Sequence, residues 1–357
     1  MQKEYQFPCE QCGAKLHLSA GEGELECSHC SHINVIERAF EKIVEKDYEA
    51  TIKKLKDEVK KELEVTSTKC SSCGAVFELS ENIHASACPY CSSPIVNETA
   101  AYRPIKPQGI LPFKIERKEA KALFKEWLAG LWFAPNKLKE YAQNEEKLKA
   151  IYVPYWTYDS DTYSAYRGRR GDKYYETEHY TITVDGKVQS KTRQVEKIRW
   201  RDVSGDLNKH FNDVVVMATT SLKHTLSHWD LENLVDYDES YLSGYESEVY
   251  SVELDDGLVS AKSNMDFFIR SDIKSQIGGD VQEINYLSTD YSNITYKHIL
   301  LPVYASAFKF DSKVYSYVIN ARNGDISGDR PYSVIKIALS VSAVAVVLGT
   351  LYYFFGN

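Results

Sequence analysis

Cys9-Glu-Gln-Cys12 with Cys27-Ser-His-Cys30, and then Cys70-Ser-Ser-Cys73 with Cys88-Pro-Tyr-Cys91, decide how the N-terminal part of the chain folds. Both copies leave the same gap, residues 13–26 and 74–87, and together they use all 8 cysteines. Thiolates two residues apart form a tight knuckle, and two knuckles supply the four soft ligands of tetrahedral Zn²⁺. The pattern predicts two structural zinc ions, one held by Cys9, Cys12, Cys27 and Cys30, the other by Cys70, Cys73, Cys88 and Cys91. Four thiolates leave no ligand position open at either. Disulfides would suit a secreted chain, but the polar start Met1-Gln-Lys-Glu-Tyr5 does not read as a signal peptide. A thioredoxin-like pair needs a βαβ setting, and iron–sulfur ligation usually has closer spacing. His29, His32 and His84 lie nearby and are expected at the surface. For ribbons this small the metal supplies the stability, about 10–16 kcal/mol apparent in comparable units.

The 357 residues carry a formal net charge of −8, which gives no global pull toward nucleic acid. The ribbons are acidic too. Lys3 and Lys15 face Glu4, Glu10, Glu22, Glu24 and Glu26 in the first, and Lys69 faces Glu78 and Glu81 in the second. A DNA-binding ribbon shows the reverse balance, so no nucleic-acid partner is expected.

Taken in order, the chain reads as an α+β multidomain protein. Ribbon 1 (1–36) leads into a helical spacer (37–65), whose Phe40, Val44, Tyr48, Ile52, Leu55, Val59 and Leu63 make one apolar stripe. That stripe either packs on the chain's own ribbons or pairs in a short coiled coil. Ribbon 2 (66–100) and a Pro-marked linker (101–110) follow. An α+β unit at 111–230 opens with Leu111-Pro-Phe113 and a helix from Glu116 to Trp132, buried through Leu123, Phe124, Trp127, Leu128 and Leu131. Separate strands follow at Tyr152–Tyr158, Thr162–Arg167, Tyr174–Val184 and Lys187–Trp200, with Asp185-Gly186 as a hairpin turn. A second unit (231–330) repeats the plan, with a helix from Val259 to Ile277 and strands at Glu283–Leu287, Thr295–Phe310 and Lys313–Asn320. The stretches Ile151-Tyr-Val-Pro154 and Ile299-Leu-Leu-Pro302 look alike. Together they suggest a duplicated helix-plus-antiparallel-sheet body, and one larger sheet is the alternative.

Residues 334–355 read as a transmembrane helix: Ile337–Phe355 holds no charged residue and suits a bilayer of ~30 Å. Arg330 and Lys336 precede it and only Gly356 and Asn357 follow, so the positive-inside rule predicts a single-pass tail anchor in the cell membrane with the N-terminus cytoplasmic. Ala338, Ser342, Ala345 and Gly349 form a small-residue stripe, which predicts helix packing with a second copy or another chain. Arg167, Arg169, Arg170 and Lys173 read as a basic turn around two glycines, either a solvated hairpin tip or a contact for anionic lipid heads. No P-loop, G-x-S-x-G, H-E-x-x-H or kinase set occurs, and His224 and His228 lack a third ligand. The expectation is that the chain is not an enzyme.

These features together resemble the YdjG-type bacterial zinc-ribbon membrane proteins. The resemblance rests on Cys12-Gly13, Cys73-Gly74, Ser86-Ala-Cys-Pro-Tyr-Cys91, Leu111-Pro-Phe113, Tyr152-Val-Pro-Tyr-Trp156, Tyr241-Leu-Ser-Gly-Tyr245 and Asn323-Gly-Asp before Arg330-Pro331. Ser31 and Ser92 stand where the second knuckle often carries glycine. Such proteins are labelled transcription-factor-IIB-like ribbon proteins or primosomal protein N′ and superfamily II helicase, and the motor motifs of a helicase are missing here. The resemblance implies a membrane-stress role beside flotillin-like SPFH proteins and phage-shock-protein-A-like coat proteins. The function expected is a membrane-anchored zinc-ribbon adaptor that recruits protein partners. A nucleic-acid-binding ribbon protein and an enzyme with an unrecognised site in the β-rich body are the alternatives.

Overall fold

Tyrosine and threonine crowd the stretch from Lys149 to Val184, and such side chains fit a pleated, half-buried surface. In the computed structural model the whole stretch is one strand. The structure describes residues 9–14, 16–18, 24–27, 29–35, 43–58, 68–69, 76–77, 83–87, 94–96, 105–135, 148–184, 187–242, 245–310 and 313–355. The elements in order are β1 (Leu16–Leu18), β2 (Glu24–Cys27), β3 (Ile33–Val35), β4 (Lys46–Asp47), α1 (Tyr48–Glu58), β5 (Thr68–Lys69), β6 (Val76–Phe77), β7 (Ile83–Ala87), β8 (Pro94–Val96) and β9 (Gly109–Ile110). They continue with α2 (Arg117–Gly130), β10 (Lys149–Val184), β11 (Lys187–Met217), β12 (Val235–Asp236), β13 (Glu246–Glu248), α3 (Leu254–Ile277), β14 (Val281–Phe310), β15 (Lys313–Asn320), β16 (Ile326–Gly328) and α4 (Val334–Phe355).

The first ribbon is a separate three-stranded sheet, β1-β2-β3, and β5 and β6 pair as a hairpin. All other strands join one 11-stranded sheet. β10 runs through its middle, antiparallel to β14 from Lys149↔Ala305 to Gly171↔Val281 and to β11 from Tyr155↔Met217 to Val184↔Lys187. Beyond Gly171 the third strand ends. Among the described residues β10 and β11 continue alone, residues 172–184 against 187–199, as a two-stranded arm of about 40 Å at ~3.3 Å per residue. Cross-strand charges line it, Glu178 with Arg193 at 2.9 Å and Glu176 with Lys197 at 2.5 Å.

Alternation along the strands divides the core between two faces. On one face, Tyr152, Tyr304 and Tyr317 pack with Phe113 and with Phe124 and Leu128 of α2. Further along, Trp156, Tyr158 and Tyr296 meet the stripe Leu254, Leu258, Ala261, Met265, Ile269, Ile273 and Ile277 of α3. On the other face Ile151, Val153, Tyr155, Ile299 and Leu301 are covered by Leu222, Leu226 and Trp229. Gly257 lets α3 lie close, because a Cβ there would strike Tyr158 Oη and stand 2.7 Å from Trp156 Cδ1.

Several expectations need correction. α3 begins at Leu254, five residues before Val259, because Asp255 and Asp256 favour the positive end of a helix and Gly257 serves packing. The spacer helix starts at Tyr48 once Asp47 accepts the Ala50 N–H at 2.7 Å, so Val44 lies outside it. Tyr48, Ile52 and Leu55 pack on the α3 cluster of the body, while Phe40, Val59 and Leu63 lie outside the described residues. The basic residues Arg167, Arg169, Arg170 and Lys173 lie inside β10 and make no turn. Their glycines permit close approach: a Cβ on Gly168 would strike the Glu283 carbonyl and one on Gly171 would meet Ile198 at 2.7 Å.

Strands from 111–230 and 231–330 share the one sheet, and the two look-alike stretches pair with each other, Val153 opposite Leu301. Pro154 O accepts the Ala218 N–H at 2.9 Å, and Pro302 O accepts that of Ala321 at 3.1 Å. β13 runs parallel to β10 at Ile151 and Tyr152, and β9 parallel to β14 at Ile299 and Leu300.

Candidate metal centre

Each half of the first ribbon bends by the same two bonds. Cys9 N–H donates to Ala14 O at 2.7 Å and Gly13 N–H to Cys9 O at 2.8 Å. Cys27 N–H donates to His32 O at 2.9 Å and Ser31 N–H to Cys27 O at 2.8 Å. The bend puts the residue after each second cysteine in the left-handed region, Gly13 at φ 69° and Ser31 at φ 56°. Glycine adopts that region freely and serine does so at a cost. Ser31 therefore makes the same turn that Gly13 makes.

The two knuckles meet. Sγ of Cys9 lies 3.6 Å from that of Cys30, and Sγ of Cys12 lies 3.5 Å from that of Cys27. All four sulfurs lie within 4.8 Å of one another. A tetrahedral ion with bonds of ~2.3 Å sets its sulfurs ~3.8 Å apart, whereas a disulfide needs ~2.05 Å. None of these four cysteines is in a disulfide, and their spacing fits one metal ion. Cys9 and Cys27 are buried in the cluster that holds Tyr241 and Leu242, while Cys12 and Cys30 face outward. One side of the centre thus rests on the body.

Crowding divides the thiols. Burial opposes ionisation of Cys9, but the backbone N–H groups of Cys12 and Gln11 overcome it and bring the thiol down to about 6. Cys30 is pushed up to about 12: the His32 backbone favours its thiolate, and Cys12, burial, Cys27 and Cys9 outweigh that. A cation removes the conflict, so metal binding releases protons here.

The second set, Cys70, Cys73, Cys88 and Cys91, lies outside the described residues. Its flanks are described. Lys69 pairs with Val76 across the first knuckle and Ala87 with Pro94 across the second. β7 also pairs with β13, which ties this frame to the main sheet.

The remaining singled-out residues are scattered. Arg169 is paired with Glu283, Arg170 with Asp172 at 2.9 Å and Lys173 with Glu196 at 2.8 Å, while Arg167 lies over the Tyr286 ring. His224 and His228 sit on an irregular segment and face different partners, Asp329 at 3.6 Å and Asp325 at 3.3 Å. Ala338, Ser342, Ala345 and Gly349 lie along α4, with nothing within 4 Å of a Cβ on Gly349. α4 is long and apolar enough to cross a membrane, and none of its span is buried.

One cluster had no local signal. Lys297, 7% exposed, binds Glu45 at 3.0 Å and Asp213 at 2.6 Å. Asp159 accepts the Asp213 N–H at 2.8 Å. These residues come from distant parts of the chain, so only the folded sheet assembles them.

The chain is similar to YdjG of Bacillus subtilis (strain 168). The two are 23% identical over 244 residues, 68% of this chain and 68% of YdjG. With the cysteine cluster, that distant likeness fits a metal-binding protein of YdjG type. No protein-family model matches the chain. No solved structure matches it either.

Proposed function

We propose that the chain is a non-catalytic, membrane-anchored zinc protein that presents docking surfaces to protein partners on the cytoplasmic side. The observation that carries this is the closed set of four cysteine sulfurs, all within 4.8 Å, resting on the body. Four thiolates favour zinc among biological metals and leave no place for a substrate, so the ion's work is to hold shape. The repeated Cys frame supports a second ion at Cys70, Cys73, Cys88 and Cys91. α4 supports the anchor, since a helix this apolar with none of its span buried has lipid as its natural surroundings. Its small-residue stripe supports association with another helix in the bilayer. The matched positions of Pro154 and Pro302, of Ala218 and Ala321, and of β13 and β9 support a duplicated body whose halves share one sheet.

Elemental analysis of the purified chain, set beside crosslinking in native membranes, tests the reading. Two zinc ions per chain are expected, falling to one in Cys9→Ser/Cys12→Ser, with protein partners captured by the wild type. Flotillin-like SPFH proteins and phage-shock-protein-A-like coat proteins are the first candidates, from the resemblance. A chain free of metal, or one that stays in the supernatant after the membranes are spun down, ends the proposal.

A further inference from the structure

The point where α4 leaves the body is a fixed joint. Ser333 caps the helix, its Oγ accepting the Lys336 N–H at 3.4 Å. Ser333 N–H donates to Phe133 O at 2.7 Å. The Lys336 ammonium turns back and donates to Trp132 O at 3.3 Å and Ala134 O at 2.7 Å. The turn that receives these bonds is itself rooted, because Ala134 and Leu128 are buried in the α2 cluster. The first turn of α4 and the turn after α2 therefore move together.

Around this joint the described surface is aromatic and exposed. Trp132 is 77% exposed and Tyr332 is 64% exposed, with Phe133, Val334 and Ile335 exposed beside them. A water-facing surface seldom places a tryptophan, a tyrosine and a phenylalanine together without a partner. Here the partner's chemistry follows from continuity: the helix that starts at this shelf is long and apolar enough to enter lipid. Tryptophan and tyrosine settle where hydrocarbon meets headgroups, one end of the ring system apolar and the other wet. From Val334 to Tyr352 the helix rises about 27 Å, so Trp132 and Tyr332 at one end and Tyr352 and Tyr353 at the other lie one hydrocarbon thickness apart. Lys336, one turn inside, would be costly in lipid with a free ammonium, and two carbonyls already hold it.

We infer that Trp132, Phe133 and Tyr332 form an interfacial shelf that seats the body directly on the lipid bilayer, so that α4 is a rigid post and not a loose tether. This rests on the membrane-anchor reading of α4. The shelf fixes the height and the tilt of the body, and with them the surface shown to partners.

The test uses the full chain labelled with 5-fluorotryptophan in vesicles of phosphatidylcholine and phosphatidylglycerol. The Trp132 fluorine signal is assigned by its absence in W132F. Spin-labelled lipid carrying the nitroxide at carbon 5 is then added, and insertion is checked separately by resistance to alkaline carbonate. The expected result is an inserted protein whose Trp132 signal is lost to broadening, while Trp200 near the base of the arm keeps its line width. An inserted protein whose Trp132 signal is as sharp as that of Trp200 overturns the shelf and leaves the anchor standing. A protein stripped off by carbonate overturns both.

Discussion

The first ribbon and the body hold their shapes by different means. The ribbon has three strands of three or four residues, and the centre of its fold is a set of sulfurs. The body has strands of 30 residues and more, with Trp156, Tyr152, Tyr158 and Tyr296 buried between sheet and helices. Short strands bury too little apolar surface to offset the entropy of ordering them, and an ion held by the four sulfurs would supply the difference. Long strands carrying rings offset it by burial alone. The contrast is not complete, since Cys9 and Cys27 lie in the same buried cluster as the α2 face of the body.

The largest effect should come from stripping the ion. A strong chelator is expected to abolish amide protection across residues 16–35, while residues 149–171 and 281–305 keep theirs. Hydrogen exchange read by mass spectrometry checks this, and equal loss in both regions would mean that the metal supports the body as well. Next comes the reverse perturbation. Gly257→Val forces a side chain into Trp156 and Tyr158 and should cost about 3 kcal/mol. A lower melting temperature with unchanged zinc content would keep the two regions separate.

A smaller effect concerns the Lys297 cluster, where Glu45 ties the N-terminal segment to the sheet. Burial lifts the Asp159 carboxyl from the ordinary 3.8 to about 6, outweighing the Asp213 backbone bond and the Lys297 charge. Between those values the folded chain holds a proton that the unfolded chain has lost. This group's contribution to stability therefore falls as pH rises through that window. Asp159→Asn keeps the acceptor for Asp213 and should add about 1 kcal/mol at pH 7 while flattening that slope, as denaturant melts at several pH values would show. The smallest effect is at the knuckles. Ser31→Gly relieves a left-handed serine and should tighten zinc by about 0.5 kcal/mol, whereas Gly13→Ala should weaken it by about 1 kcal/mol. Competition with a chromogenic chelator measures both.

How far the sequence could be read depended on the range of the interaction. The first cysteine frame was legible because a knuckle is made by neighbours, and the same held for the α2 stripe and the apolar run of α4. The strands were legible as strands but not in their length. Gly168, Gly171 and the bulge at Asp159–Asp161 look like breaks in one dimension, yet they admit Glu283, Trp200 and a third strand without ending the ladder. The Lys297 cluster and the aromatic shelf were invisible for a related reason. Glu45 is 252 residues from Lys297, and Trp132 reads as part of a buried helix until α4 is placed beside it.

The unaccompanied stretch of β10 and β11 works as a graduated ruler. A ribbon of this kind twists but hardly stretches, and its two ends are separated by a distance counted in residues. Removing two residues from each strand keeps every side chain on its own face and retracts the tip by about 7 Å. Whatever meets that tip is held off by an amount written directly in the length of the gene.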